Sequence, residues 1–361
     1  MSASAMAQTP PAHVDVFTSG KDGYAAYRIP AIEVAPDGSV LAFAEARKNN
    51  LGDPGMDNNE IDLVCKRSVD GGRTWSAMKI VEHSGKNWSS ANPATAVDRD
   101  TKRVWVLYIR CKPNCNTDTA RPGTDDVQNL ARYSEDNGQT WSEPIDMTND
   151  VRDMKHPQWR TTVVGPGGMI QDSRGRLVAA AWRFAPWAVF AIYSEDHGRT
   201  WHRGEMISHE GMPKNHSPNE TELVEMANGR ILIDYRDEKI AQRWMAESAD
   251  GGRTWSKARA GNKVTPVACA IERYTLKSAG DDRDRIVWTG PKGPDRKNLI
   301  LRVSYDEGKT FPIERLIAAE PAAYSDLAIL KDKTVGVLWE RNDYKQITFT
   351  RLTREFIDPI K

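Results

Sequence analysis

Carboxylates are the reactive groups that recur most regularly in this chain, and most of those that recur sit in a fixed frame. The pattern Ser-x-Asp-x-Gly-x-Thr-Trp appears as SVDGGRTW from Ser68, SEDNGQTW from Ser134, SEDHGRTW from Ser194 and SADGGRTW from Ser248, and again as SYDEGKTF from Ser304 with Phe311 in the last place. An aspartate set just ahead of a glycine suits a hairpin turn, where it accepts the turn's own backbone N–H bonds. A carboxylate satisfied in that way is not free for a distant substrate, so the octets read as structural. A second acidic group lies outside the frame, in KNNLGDPGMDNNEIDLV, where Asp53, Asp57, Glu60 and Asp62 follow one another closely.

Other chemistries find little support. The seven histidines include no HExxH and no close pair at metal spacing. No GxGxxG or GxxxxGKS run is present to cradle a phosphate. Lys plus Arg and Asp plus Glu are both 50, so no global field favours nucleic acid or an anionic membrane. Apolar stretches such as LVAAAW at 177–182 fall far short of the roughly 18–20 residues that cross a bilayer. Of four cysteines, Cys111 and Cys115 flank Pro113 and Asn114 in a run that suits either a local disulfide or two thiols, while Cys65 and Cys269 read as buried thiols. The start, MSASAMAQTPPAHV, lacks a basic segment and an apolar core, yet SAMAQ resembles the small-residue end of a secretory signal. Residues 1–12 are therefore read as a signal remnant or flexible N-terminus, and the protein as exported.

The elements that must position these groups follow from the repeat. Successive octets begin roughly 55 to 65 residues apart, the length of one four-stranded propeller blade with its loops. Each follows a strand-like run, such as IDLVCKRS or NLILRVS, and further runs (RVWVLYI, RILIDYR, TVGVLWE) lie between them, separated by Gly, Asp and Asn. Dividing the chain by the period predicts an all-β, six-bladed β-propeller, with residues 13–361 as a single domain. Closure is expected from pairing of HVDVF near the N-terminus with ITFTRL near the C-terminus, which removes exposed edges.

The octets resemble the Asp-boxes of the sialidase superfamily, and YRIPAIEVAPDGSVLAFAEAR resembles the Tyr/Phe-Arg-Ile-Pro signature near the start of its members. The chain is thus similar to bacterial-type exo-alpha-sialidases (neuraminidases). The resemblance makes Arg28 the first of three arginines that bind the substrate's carboxylate, with Arg236 in GRILIDYRDE as the second and Arg296 in GPDRKNLILRVS as the third. Arg283, Arg285 and Lys292 are neighbours that compete for the third place. Guanidinium donors are planar and paired, matching a carboxylate as an ammonium cannot. Since the anomeric carbon already bears that carboxylate, an anionic nucleophile is disfavoured, and the family attacks with a tyrosine. PAAYSDLAIL nominates Tyr324, and HSPNETELVEMANGRILIDYR nominates Glu220 as the base that activates it. Glu340 in VGVLWE is implied to orient Arg28.

Further roles come from the same resemblance. Asp53 in GDPG best matches the general acid/base, on a loop that closes over substrate, with Asp57 the next candidate. Arg47 in AEAR corresponds to an arginine lining the sugar's hydroxyl edge. TVVGPGGMIQ resembles a strand entry where glycines allow close backbone approach, and WRFAPW at 182–187 reads either as pocket wall or as a rim aromatic cluster. The implied activity is retaining hydrolysis of terminal sialic acids from glycoproteins, glycolipids or oligosaccharides by a monomer, without cofactor or metal. A trans-sialidase and a non-catalytic glycan-binding propeller are the alternatives. Two sequons, at Asn87 and Asn219, are expected to be unglycosylated, because a glycan beside Glu220 would obstruct the site.

Overall fold

The computed structural model describes residues 11–57, 59–213 and 215–358. Ten of the twelve residues assigned to the N-terminal remnant therefore lie outside the described residues. Strands dominate; helical structure among the described residues is confined to the short turns Thr148–Val151, Lys277–Ala279 and Arg354–Ile357. No helix among the described residues is long and apolar enough to cross a membrane.

The strands pair as successive antiparallel meanders. The first runs through Ala26–Val34, Val40–Arg47, Ile61–Ser68 and Lys79–Glu82. Next come Ser89–Asp98, Arg103–Cys111, Val127–Ser134 and Ile145–Asp146. Thr161–Val164, Leu177–Phe184, Ala188–Ser194 and His202–Arg203 follow, and then Pro218–Glu225, Ile231–Asp237, Trp244–Ser248 and Arg259–Ala260. The 17-residue strand Ile313–Ile329 serves two meanders: its first part pairs with Lys297–Ser304 and its second with Val335–Arg341. His13–Thr18 then pairs with Gln346–Leu352, as anticipated, so the first and last described strands share a sheet. Curled sheets joined in this way form a β-propeller.

Strands such as Val40–Arg47 are buried at every position instead of alternating, because each sheet is covered on both faces by its neighbours. The core is accordingly a series of interfaces between sheets. Trp105, Phe190 and Trp201 share one, and Phe17, Tyr27 and Phe349 share another at the closure.

Each octet makes the expected turn. Asp70 accepts N–H bonds from Arg73 and Thr74 at 2.9 Å and the Thr74 hydroxyl at 2.6 Å, while Ser68 accepts from the Gly72 N–H at 2.8 Å. Gly72 has φ +86°, and a Cβ there would lie 1.9 Å from the Phe349 ring, so turn and inter-sheet packing both require glycine. Trp75 packs edge-on against Phe349 at 5.4 Å, tying the first sheet to the last.

All four cysteines are free thiols. The disulfide considered for Cys111 and Cys115 is absent because Cys111 ends a strand and packs into an apolar cluster with Val127 and Val163, whereas Cys115 lies on the loop beside Gly55. Cys65 and Cys269 are buried, as read from the sequence.

Candidate active site

The innermost strands lose their regular register at one end. Pairing shifts between Arg28 and Ala31, between Ala91 and Ala94, between Pro218 and Thr221, and between Ala322 and Ser325. A proline accompanies every shift (Pro30, Pro93, Pro218, Pro321), removing a ladder donor where the strand must bulge. Ile29 and Asn92 take φ of +57° and +55°, conformations that non-glycine residues hold only when their surroundings enforce them. The bulges turn Arg28, Asn92, Glu220 and Tyr324 toward one cavity of about 430 Å³, which Arg47, Asp53, Arg236 and Arg296 also line.

Tyr324 sits at the floor. Its hydroxyl donates to Glu220 Oε1, and Arg236 Nη1 donates both to Glu220 Oε2 and, at 3.1 Å, to the Tyr324 oxygen. The guanidinium carbons of Arg28 and Arg296 lie 5.3 and 5.6 Å from the centre of the Tyr324 ring. Burial pushes the phenol's pKa well up and the Glu220 carboxylate adds to the rise, while Arg236 and Arg28 pull the other way. The neutral phenol is therefore the resting form, and its proton already points at a carboxylate.

Glu340, 1% exposed, lies behind the floor. It accepts from Arg28 Nε at 2.5 Å and Nη2 at 3.3 Å, from the Ile29 N–H at 2.9 Å and from the Tyr324 N–H at 3.1 Å. One carboxylate thus locks the two bulges that present Arg28 and Tyr324. Burial works against the Arg28 charge, but Glu340 outweighs it and holds the guanidinium firmly protonated; Glu220 does the same for Arg236.

Asp53 is at the mouth, with its side chain 68% exposed, and accepts from Arg47 Nη1 at 3.1 Å. Arg47 is fully buried, with Nε and Nη2 on Glu45 at 3.0 and 2.7 Å and Nη1 also on the Leu51 carbonyl. It lines the cavity, yet its donors are spent on Glu45 of its own strand and on the loop that carries Asp53. The rival carboxylates lie elsewhere: Glu60 is paired with Lys48, Asp62 with Tyr24 and His83, and Asp57 is exposed away from the cavity lining.

Trp182, Phe184 and Trp187 form one wall, with Trp182 stacked on Trp187 at 5.6 Å and Phe184 edge-on to Trp187 at 4.6 Å. WRFAPW is thus pocket wall. Asn219, 5% exposed, also lines the cavity, so the second sequon is not an open glycan acceptor. Gly167 comes so close to the axis that a Cβ would lie 1.9 Å from Glu222 Oε1, which accounts for the Gly-Pro-Gly run.

Several contributors were not read from the sequence. Tyr344 accepts from Arg296 at 2.6 Å and lays its ring 4.2 Å from the Arg28 guanidinium, linking two arginines distant in sequence. Asp118 and Glu238 add carboxylates to the cavity lining. Asn92 had a usable signal, since SANPA repeats the X-Pro-Ala ending of YRIPA. Asp98, Asp100 and His197 cluster well enough to suit a cation, but away from this cavity, and the Gln171 amide already donates to both aspartates at 2.8 and 2.9 Å.

A propeller held by Asp-box turns, with a guanidinium-ringed tyrosine at its axis, defines the class. The family model described as "BNR repeat-like domain" matches residues 30–337, and the chain belongs to that family. Among curated proteins it is 30% identical to a sialidase of Micromonospora viridifaciens over 90% of this chain and 51% of that protein. It is 28% identical to a sialidase of Bacteroides fragilis (strain YCH46) over 91% of this chain and 62% of that protein. The chain therefore spans between half and two thirds of the length of these two relatives. The solved structure of the Hadza microbial sialidase Hz136 superposes with a TM-score of 0.86 at 27% identity, covering 96% of this chain and 69% of that one.

Proposed function

We propose that this chain is a retaining exo-sialidase that releases terminal sialic acids from glycoproteins, glycolipids or oligosaccharides through a covalent tyrosyl intermediate. The observation that carries the proposal is the Tyr324–Glu220 hydrogen bond set among three guanidiniums in a single cavity. Arg28, Arg236 and Arg296 hold the substrate carboxylate. Asp53 protonates the departing glycosidic oxygen while the Tyr324 oxygen bonds to the anomeric carbon and passes its proton to Glu220. In the second step Asp53, now a carboxylate, takes a proton from water, whose oxygen displaces Tyr324, and Glu220 returns the phenolic proton. Charge and protons balance without a cofactor.

An exposed Asp53 beside a buried floor suits these roles, since the acid must reach both leaving group and water. The names of the curated relatives support sialic acid as the sugar. With this reading go a single unit over residues 13–361, a ring of six blades corresponding to the four-strand meanders, a monomer, and an exported location. Turnover of a fluorogenic sialoside tests it: fluorophore release is expected, and no release from any of several sialoside linkages and sugar variants would leave a glycan-binding propeller instead.

A further inference from the structure

The three guanidiniums of the cavity are not held alike. Arg28 and Arg236, 8% and 9% exposed, lie on the strands Ala26–Val34 and Ile231–Asp237, and each is paired with a buried carboxylate, Glu340 for one and Glu220 for the other. Arg296 is half-buried in the turn between Arg285–Pro291 and Lys297–Ser304, and among the described residues no carboxylate pairs with it. Its side-chain partner is neutral: Nη1 donates to the Tyr344 oxygen at 2.6 Å. Of the three guanidiniums, Arg296 is thus the one whose charge has no direct counterion.

Tyr344 reaches this group from a turn that its neighbours hold in place. Asn342, Asp343 and Tyr344 take φ of +51°, +53° and +66° in succession, left-handed conformations that non-glycine residues keep only when their surroundings enforce them. Three bonds do so: the Asn342 N–H donates to the Pro321 carbonyl at 3.0 Å, the Asn342 amide to Gln346 Oε1 at 3.1 Å, and the Ser19 hydroxyl to the Tyr344 carbonyl at 2.7 Å. Ser19 follows the closure strand His13–Thr18, and Pro321 precedes the bulge that presents Tyr324, so the turn is tied to both. From there the phenol oxygen meets Arg296, while the ring lies 4.2 Å from the Arg28 guanidinium.

We propose that Tyr344 is a positioning residue of the carboxylate clamp: its neutral oxygen aims Arg296 and its ring seats Arg28, leaving the Arg296 charge for the substrate's carboxylate. The inference rests on the reading of Arg28, Arg236 and Arg296 as the groups that hold that carboxylate. An acidic side chain in place of the phenol would also fix Arg296, but it would neutralise the charge the substrate needs. An apolar one would spare the charge and leave a long, half-buried side chain to be ordered by the substrate alone, at a cost in affinity. Tyr344 is not part of the cavity lining, so it acts through the two arginines.

Steady-state kinetics of the whole chain on a fluorogenic sialoside test the role. Tyr344→Phe keeps the ring on Arg28 and removes the acceptor. It should raise KM about fivefold or more and leave kcat within about twofold, because the clamp grips the carboxylate alike in ground and transition states while the Tyr324–Glu220 bond is untouched. On an Arg296→Ala background the same change should alter kcat/KM less than about twofold, since the oxygen acts through that guanidinium. Tyr344→Leu removes the ring as well; it should raise KM at least as far, and it stands in should Tyr344→Phe not fold. A KM within about twofold of wild type, a loss in kcat as large as the rise in KM, or full additivity of Tyr344→Phe with Arg296→Ala overturns the proposal. A wild type that turns over the sialoside with a KM unmoved by Tyr344→Phe sinks the positioning role alone; a wild type that turns over no sialoside sinks the clamp and this role with it.

Discussion

Carboxyl groups at the rim of this propeller and carboxyl groups at its axis live under opposite rules. At the rim, burial works against Asp136, yet the Thr140 hydroxyl and N–H, the Ser134 hydroxyl and the Gln139 N–H hold it down to about 2. Along the axis burial wins, pushing Glu33 up to about 8 and Glu272 to about 7. Rim donors come from within four residues of the aspartate, whereas axial partners such as Glu220 and Tyr324 lie 104 positions apart. Local turns stabilise; on the proposed reading, cross-channel pairs position chemistry. The two regions also respond oppositely to pH. Rim stabilisation is present above about 4, the unfolded carboxylate value, and is lost as pH falls toward about 2; axial stabilisation is full below about 4 and is lost as pH rises through 7 to 8.

Substitutions at the axis should break chemistry first. Arg236→Lys is expected to lower kcat/KM by roughly a hundredfold or more, because a point ammonium cannot both bond Glu220 and present paired donors to a carboxylate. A near-normal kcat/KM would remove Arg236 from the clamp. Asp53→Ala should cost about 10²- to 10⁴-fold on sialosides with alkoxide leaving groups and much less on aryl sialosides, whose phenolates leave with little protonation. Equal losses on both, or a larger contrast from Asp57→Ala, would move the acid to another side chain.

Changes at the rim should cost stability alone. Asp136→Ala strands turn donors and is expected to destabilise the fold by about 1–3 kcal/mol with kcat within about twofold of wild type. A variant that melts normally but does not turn over would erase the distinction between rim and axis. The smallest effect concerns Glu33, away from the catalytic tier: Glu33→Gln should raise Tm by a few degrees at pH 8 and leave it unchanged at pH 4, as scanning calorimetry at the two pH values would reveal. A gain at pH 4 instead would contradict the burial-driven shift.

The same contrast explains what was legible in the sequence. Octets announce themselves because every donor and acceptor of the turn falls inside eight residues, and the β-propeller follows from their spacing. Arg28, Glu220, Arg236, Arg296, Tyr324 and Glu340 could be named because short surrounding motifs resemble those of a known family. Tyr344 could not, since what matters about it is a pair of partners distant in sequence, Arg28 and Arg296. Arg47 was legible in place but not in its bonds, because the Leu51 carbonyl and Asp53 reach it only once the loop has folded.

Covalent trapping goes most directly to the claim that the axial tyrosine is the nucleophile. An activated fluorinated sialic acid should leave a slowly hydrolysed adduct, because fluorine slows both steps while the good leaving group rescues only the first. Peptide mapping should place the added mass on Tyr324, with Tyr324→Phe abolishing it and Glu220→Ala slowing its formation. A turning-over wild-type protein that yields no adduct, or one whose added mass maps to a carboxylate such as Asp53, would contradict the mechanism.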